Sequence, residues 1–296
     1  PRMTFALRGR VQFAGQGSIP PVDTASVGDE PWPAGAVTGN FEKDFVHQYV
    51  GLIVFYDEAG EFSHRCSGTL LSPRVFLTAG HCTEGVTTAR VYFQQDAGAN
   101  FDPDLGYDPV TGYPLFGGVT SDELYNYGFS DFAGFPNIRD VGLAILDRPV
   151  LLDEYAALAA AGSLDRLATR RGKQDVTFTV SGYGLTLSNP TKTLSFRERL
   201  MATSKLVNLG SALTDGYNLQ TTASPGNGRG GTCSGDSGGP IFYDATNVIV
   251  AVNSFGLNAW CRGVDFSYRT DRAEVIAWIL AHAPASERND IQIVSI

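Results

Sequence analysis

Short apolar runs separated by turn residues recur along most of this chain. In the first half they cover residues 49–56, 65–71, 75–78 and 141–146, and in the second half residues 176–180, 204–208, 241–243, 248–254 and 266–269. Turn signals such as Asp57-Glu58-Ala59-Gly60 stand between neighbouring runs. Strands of this length with regular turns are typical of an antiparallel sandwich or barrel.

Two segments depart from the strand pattern and predict helices. Residues 163–167 follow an Ala-rich stretch and predict a short helix with Ser163 as its cap. Residues 272–282 carry an apolar stripe and predict an amphipathic helix capped by Asp271. The stripe consists of Val275, Ile276, Ile279 and Leu280.

The pattern also suggests how the chain is divided. Residues 1–35 are rich in Gly, Pro, Ser and Asp and are interpreted as an N-terminal extension or pro-like segment. We expect one unit over residues 36–155, a second over 156–271, and a helix and tail over 272–296. Residues 94–139 form a long irregular stretch, which in compact domains is usually functional or disordered.

Composition excludes several classes of function. The chain of 296 residues has 22 Lys and Arg against 31 Asp and Glu, a net charge of -9. A basic stripe for nucleic acid or for an anionic membrane surface is therefore not expected. No apolar run approaches the roughly 18 residues that span a bilayer. The chain begins at Pro1 without a signal-peptide pattern, so we expect a mature or trimmed form.

The four cysteines leave two readings open. Cys66 and Cys82 are 16 residues apart, and Cys233 and Cys261 are 28 apart, with no Cys-x-x-Cys to suggest a zinc ribbon. An even count in this pattern fits two disulfides in an oxidising compartment or four buried free thiols.

Three segments carry candidate chemistry. His81 follows a strand in Leu77-Thr78-Ala79-Gly80-His81-Cys82, and Asp140 leads the apolar run 141–146. Ser237 lies in Gly235-Asp236-Ser237-Gly238-Gly239-Pro240, where the glycines let the chain turn sharply and aim backbone N–H groups at one point. Each of these residues, taken alone, is more often structural than catalytic.

These segments, in the order His, Asp, Ser, resemble the trypsin/chymotrypsin family of serine endopeptidases over about residues 36–283. The resemblance implies an all-β fold of two antiparallel six-stranded β-barrels with a C-terminal α-helix. It implies a secreted, monomeric endopeptidase acting on protein or peptide substrates. Because other bridges common in animal members are absent and Arg outnumbers Lys, a bacterial secreted member is expected.

The resemblance also assigns roles to residues. His81, Asp140 and Ser237 would form the catalytic triad, and the N–H groups of Gly235 and Ser237 the oxyanion hole. Asp236 would receive a newly cleaved N-terminal amine, for which the nearest family-like start is Ala36-Val37-Thr38-Gly39. Activity without cleavage and a dormant precursor stay open beside that route. The implied disulfides are Cys66–Cys82 and Cys233–Cys261.

Substrate binding is implied for a second set of residues. They are Gly231, Thr232 and Ser234 before the nucleophile, and Ser254, Phe255 and Gly256 on a later strand. Trypsin-like members have Asp where Gly231 stands, so we expect an uncharged, open pocket for apolar or aromatic side chains and not an Arg/Lys specificity. Whether Asp265 intrudes on the pocket from the opposite wall stays open.

No cofactor or metal is required by this chemistry. Asp96, Asp102, Asp104 and Asp108 lie in an acidic loop after His81, where calcium is one reading and a solvated loop the favoured one. Two other functions stay open, a catalytically silent binding module and an esterase on the same scaffold.

Overall fold

A computed structural model describes residues 40–97, 117–167, 175–189, 192–194, 197–224 and 226–296. In this part of the chain the strands, numbered in order, are β1 Phe41–Lys43, β2 Val50–Tyr56, β3 Phe62–Leu70, β4 Val75–Thr78, β5 Thr88–Tyr92, β6 Val119–Ser121, β7 Glu123–Asn126, β8 Gly142–Ile145, β9 Ala157–Ala159, β10 Thr177–Gly182, β11 Leu187–Asn189, β12 Lys192–Leu194, β13 Leu200–Asn208, β14 Asn218–Thr222, β15 Pro240–Tyr243, β16 Val248–Gly256, β17 Val264–Arg269 and β18 Ile293–Val294.

The first sheet has seven antiparallel strands in the order β6-β5-β2-β3-β4-β8-β7 and forms a nearly closed barrel. Its centre is β2, an unbroken apolar run in which every residue except Tyr56 is buried. The apolar positions of β2 and β4 pack together inside, which follows from their sequence because each strand has almost no polar side chain to expose.

The second sheet closes on itself. Its ring runs β15-β10-β13-β14-β17-β16 and back to β15, which is six antiparallel strands. Three short strands extend it: β9 pairs with β16, β18 with β9, and β1 with β13. The prediction of an all-β fold with two barrels is confirmed, with seven strands rather than six in the first.

Helical structure is sparse in the described part of the chain. The α-helices there are α1 Gly80–Thr83 and α2 Ala273–His282, and the 3-10 turns are Asp165–Leu167 and Gly226–Gly228. The predicted C-terminal helix is therefore confirmed, with Val275, Ile276 and Ile279 buried. None of the described helices is long and apolar enough to cross a membrane.

Both predicted helix caps are wrong. Arg272, not Asp271, precedes α2, and no side chain caps that end. The Asp271 carboxylate instead accepts from the Arg269 guanidinium at 2.8 Å and from the Leu164 N–H at 2.8 Å. The Ser163 hydroxyl donates to the Ala160 carbonyl at 2.6 Å. The Ser163 and Asp271 side chains therefore form hydrogen bonds with other partners and do not cap a helix.

The unit boundaries stay predictions. Strand β1 precedes the first sheet in the chain, yet it pairs with β13 of the second. The proposed extension 1–35, the sequence Ala36-Val37-Thr38-Gly39 and part of the long stretch 94–139, residues 98–116, lie outside the described residues.

Candidate active site

Strand pairing brings His81 and Asp140 together. Strands β4 and β8 are antiparallel, and Thr78 pairs with Gly142. The residues just after β4 and just before β8 therefore meet at the same end of the barrel. The backbone N–H of His81 donates to Oδ1 of Asp140 at 2.8 Å, and ring Nδ1 lies 2.8 Å from Oδ2.

The Asp140 carboxylate is fully buried and receives a third hydrogen bond, from the hydroxyl of Ser254. Burial alone would raise the pKa of Asp140, but the charge and hydrogen bonds of His81 and the Ser254 hydroxyl outweigh it and hold that pKa below its usual value. An ionised carboxylate only accepts hydrogen bonds, so Nδ1 of His81 carries a proton and Nε2 is the basic nitrogen.

Ser254 owes its direction to a β-bulge. The register between β16 and β17 shifts between Asn253 and Phe255, which leaves Ser254 as the extra residue. A bulge re-aims the side chain it carries. The predicted substrate-strand residue Ser254 thus turns its hydroxyl toward Asp140, across the gap between the two barrels.

The Ser237 loop packs directly against the end of β4. Gly238 has φ +76°, and a Cβ there would overlap the Thr78 hydroxyl and lie 2.6 Å from the backbone N of Ala79. The glycine therefore permits a close approach that any side chain would block. Ser237 is buried, and its carbonyl accepts from the Ser67 N–H at 2.8 Å. The loop that carries Ser237 thus lies against the strand that leads into His81.

Gly235, in the same loop, has a backbone conformation that favours glycine. Its φ is +97°, and its carbonyl accepts the Ser67 hydroxyl at 2.8 Å. Within the described part of the chain, the Gly235 N–H has no protein acceptor. A donor left unused by the protein is what binding of a developing oxyanion requires.

Asp236 is held inward by backbone donors. Its carboxylate accepts the N–H groups of Gly184 at 2.8 Å and Cys233 at 2.9 Å. Burial raises the pKa of Asp236 to about 6, opposed by these bonds and by the charge of Arg65. The predicted pairing with a chain-terminal amine concerns residues outside the described part and stays a prediction.

A cavity beside the Ser237 loop contains most of the predicted specificity residues. Its lining includes Thr232, Ser234, Phe255 and Gly256, and also three residues that the prediction did not name: Asn253, Asn258 and Ala259. Gly231 and Ser254 are not among the lining residues. Asp265, which the sequence analysis raised as a residue of the opposite wall, lines the cavity as well. The cavity therefore contains a titratable acid, and the expectation of a pocket for apolar or aromatic side chains stays a prediction.

A series of aromatic contacts connects His81 with Phe255, which lines the cavity. The Phe129 ring lies 5.8 Å from the His81 ring, Phe132 contacts Phe255 edge-on at 5.2 Å, and Phe255 stacks on Phe266 at 4.7 Å. These contacts hold the imidazole and the apolar wall in place.

Both predicted disulfides are present. Cys66 bonds Cys82 and Cys233 bonds Cys261, so all four cysteines are paired. The first bridge ties β3 to the residue after His81, and the second closes the segment beside the cavity. Cys66, Cys82 and His81 lie close together, but disulfide sulfurs are not thiolates and offer a metal no ligand there.

Most of the acidic residues considered for calcium lie outside the described part of the chain. Asp96 lies in a backbone bridge with Glu198, whereas Asp102, Asp104 and Asp108 lie outside the described part.

Comparison with known proteins finds serine proteases of the trypsin family. The family model described as Trypsin matches residues 46–279. Serine protease 7 of Drosophila melanogaster is 26% identical over 297 aligned residues, covering 92% of this chain and 71% of that protein. Chymotrypsin of Phaedon cochleariae is 28% identical, covering 76% of this chain and 74% of that protein.

Solved structures agree on the fold. A structure of HL collagenase matches with a TM-score of 0.58 and 19% identity, covering 79% of this chain and 93% of that one. Human heparin binding protein matches with a TM-score of 0.57 and 19% identity, covering 81% and 94%. At such identity the likeness concerns the fold alone.

Proposed function

The chain belongs to the trypsin family of serine endopeptidases, and on that premise we propose that it is a secreted protease that cuts protein and peptide chains through Ser237, His81 and Asp140. The observation that carries the proposal is the pair of hydrogen bonds from His81 to Asp140, which orients the imidazole and leaves Nε2 basic. The packing of Gly238 against Thr78 supports it, because this contact lies next to Ser237.

In the proposed first step, the hydroxyl oxygen of Ser237 attacks the carbonyl carbon of the scissile peptide. Its proton passes to Nε2 of His81, and Asp140 stabilises the imidazolium that forms. The charge on the carbonyl oxygen is received by the N–H groups of Gly235 and Ser237, a contribution of roughly 3 kcal/mol per donor in acyl-transfer enzymes.

The intermediate then breaks down. His81 returns the proton to the leaving amine, the C–N bond breaks, and the acyl group stays on Ser237 as an ester. Water attacks this ester with His81 again taking a proton, and the acid product leaves with the Ser237 hydroxyl restored.

Substrate binding is proposed along β16 next to the cavity. Phe255 and Gly256 line that cavity, and the backbone here would pair with an extended substrate chain as an added strand. The added strand would place one substrate side chain in the cavity and its carbonyl beside Ser237.

Secretion and a monomeric state belong to the same proposal. Two disulfides that use every cysteine are favoured in an oxidising compartment. The two relatives named above are insect proteins, and a bacterial source stays a prediction from the sequence.

The two alternative functions make different demands. A silent binding module needs no working nucleophile. If this chain were such a module, the name of the similar heparin binding protein would suggest a polyanion as the ligand of this chain. This chain has a net charge of -9, which opposes binding of a polyanion. An esterase would share the acyl chemistry but fail on peptide bonds.

A labelling experiment tests the proposal. Diisopropyl fluorophosphate should add one diisopropylphosphoryl group to the wild type, and Ser237→Ala should abolish this mass shift. Ser286→Ala, which removes an exposed serine, is the matched control and should label normally. Failure of the wild type to label would favour the binding module. Labelling with ester cleavage but no casein digestion would favour the esterase.

A further inference from the structure

The Asp265 carboxyl lies in the cavity and has no part in the proposed chemistry at Ser237. Asp265 stands on β17 directly across from Gly256 on β16, and it is only 3% exposed. Its Oδ2 accepts the backbone N–H of Thr232 at 2.6 Å. In the described part of the chain, no group donates a hydrogen bond to Oδ1.

The carboxyl lies between Gly231 and Gly256. A Cβ at Gly231 would lie 2.7 Å from Oδ2, and a Cβ at Gly256 would lie 3.8 Å from Oδ1. The acid therefore fills the space that a side chain at 231 would need. Oδ1 is on the side of Gly256, a residue of the cavity lining.

A cation would stabilise the ionised form of this buried acid, which has few hydrogen-bond donors around it. Burial raises the pKa of Asp265 to about 7, the Thr232 hydrogen bonds lower it, and the nearby acid Asp236 raises it further. A positive group placed against Oδ1 would favour the ionised form and supply the missing hydrogen bonds.

We propose that Asp265 makes this cavity select a cationic substrate side chain, Arg or Lys, at the residue whose carbonyl Ser237 attacks. The proposal rests on the proposed function. It assigns to β17 the acid that the loop lacks at Gly231, and it replaces the expectation of apolar or aromatic side chains.

The rest of the lining fits such a side chain. Thr232 donates its hydroxyl to the Asn253 side-chain oxygen at 2.8 Å, and Ser234 and Asn258 add further polar groups. The Phe255 ring offers an apolar surface for the aliphatic stem of Lys or Arg. A wholly apolar side chain would instead bury the Asp265 carboxyl without giving it a hydrogen bond.

The test compares peptide amides that differ only at the cleaved residue, which is Arg, Lys, citrulline, Leu or Phe. Citrulline has the shape of Arg without its charge. The wild type should cleave the Arg substrate with a kcat/KM about 30-fold or more above the citrulline substrate. Asp265→Asn should bring this ratio close to one. Asp122→Asn, which removes an exposed charge elsewhere, should keep the wild-type ratio.

A second measurement does not depend on the folding of a variant. N-butylguanidinium should inhibit wild-type cleavage competitively, and the neutral isostere N-butylurea should inhibit at least about tenfold more weakly. Equal cleavage of Arg and citrulline substrates, equal inhibition by the two compounds, or an Arg preference that survives in Asp265→Asn would overturn the proposal. Absent phosphoryl labelling of Ser237 would overturn the proposed function itself, whereas labelled enzyme without charge discrimination would overturn only the role of Asp265.

Discussion

The Ser254 hydroxyl and the imidazole of His81 meet the same oxygen of Asp140, Oδ2. Ser254 lies on β16 of the second barrel, while His81 follows β4 and Asp140 precedes β8 of the first. One buried carboxylate thus joins the two barrels at the point where the proposed chemistry takes place. The orientation of His81 consequently depends on how the barrels pack together.

Replacing Ser254 by Ala should slow catalysis without unfolding the protein. The change removes one donor from the buried Asp140 carboxylate and raises its pKa, because a hydrogen bond to the ionised form is lost. We expect kcat/KM to fall roughly tenfold, the cost of one hydrogen bond to a charged group. Steady-state kinetics on a peptide amide measures this. An unchanged kcat/KM would show that His81 and the backbone alone hold Asp140.

Replacing Asp140 by Asn should have a much larger effect. An amide can present N–H to Nδ1 of His81, which then favours the tautomer whose Nε2 carries the proton. We expect kcat at neutral pH to fall by about 10⁴, with little change in KM. Single-turnover acylation of an activated ester measures the loss. Near-wild-type acylation in this variant would remove Asp140 from the proposed mechanism.

Gly238→Ala tests the close approach beside Ser237. The added Cβ would overlap the Thr78 hydroxyl, lie 2.6 Å from the Ala79 N, and occupy a backbone conformation with φ +76°. We expect a loss of about 2 to 4 kcal/mol in the free energy of unfolding, together with loss of labelling at Ser237.

Gly210→Ala is the matched control for that variant. At Gly210 no atom lies within 4 Å of the position that a Cβ would occupy, and φ is not positive, so Ala should change the free energy of unfolding by less than about 1 kcal/mol. Urea denaturation compares the two. Equal stability of both variants would show that the Ser237 loop tolerates displacement from β4.

The pH dependence of stability should reveal the buried acid Asp265. Its pKa is raised from 3.8 to about 7, so the native state holds a proton that the unfolded chain has already lost above about pH 4. The contribution of this group to stability therefore falls as pH rises from about 4 to 7. Asp265→Asn removes the effect, and its stability relative to wild type should rise by about 1 to 3 kcal/mol over that range.

Urea denaturation at pH 5, 6, 7 and 8 measures this difference. The buried acid Asp236, with its pKa near 6, titrates in both proteins, and so largely cancels when variant and wild type are compared at each pH. A difference that does not change with pH would contradict a protonated Asp265 in the native state.

Asp44 should give stability the opposite pH dependence to Asp265, because its pKa is lowered in the folded protein and not raised. Its buried carboxylate accepts the His47 N–H and ring Nδ1, and the Ser181 hydroxyl at 2.5 Å. Burial would raise the pKa of Asp44, but these interactions with His47 and Ser181 lower it to about 2. The stabilisation is complete above about pH 4 and is lost as pH falls toward 2.

Asp44→Ala should therefore destabilise the fold by about 3 to 5 kcal/mol at pH 7 and by much less at pH 2 to 3. Thermal unfolding followed by circular dichroism over this pH range measures the effect. A loss of the same size at all pH values would indicate a packing role in place of a charged one.

The sequence predicted the β-rich class because each strand is a separate apolar run bounded by turn residues. Short motifs in a fixed order carried the family resemblance, and that resemblance implied the disulfides and the roles of His81, Asp140 and Ser237. The β-rich class and the two disulfides are confirmed, because the information for them lies in a few consecutive residues, whereas the catalytic roles of His81, Asp140 and Ser237 stay predictions. The prediction that Asp271 caps the C-terminal helix was wrong. Its carboxylate accepts hydrogen bonds from Arg269 and from Leu164, and Leu164 is distant in the chain, so a local pattern does not reveal it.

By itself, then, the sequence determined which segments become strands and which side chains are available for chemistry, since both follow from local pattern. Only the tertiary structure decided that Ser254 turns toward Asp140 and that Asp265 enters the cavity. Both outcomes depend on the register of β16 against β17, where a shift of one residue moves a side chain to the opposite face of the sheet. That register is set by the packing of the whole barrel, which no short stretch of sequence contains.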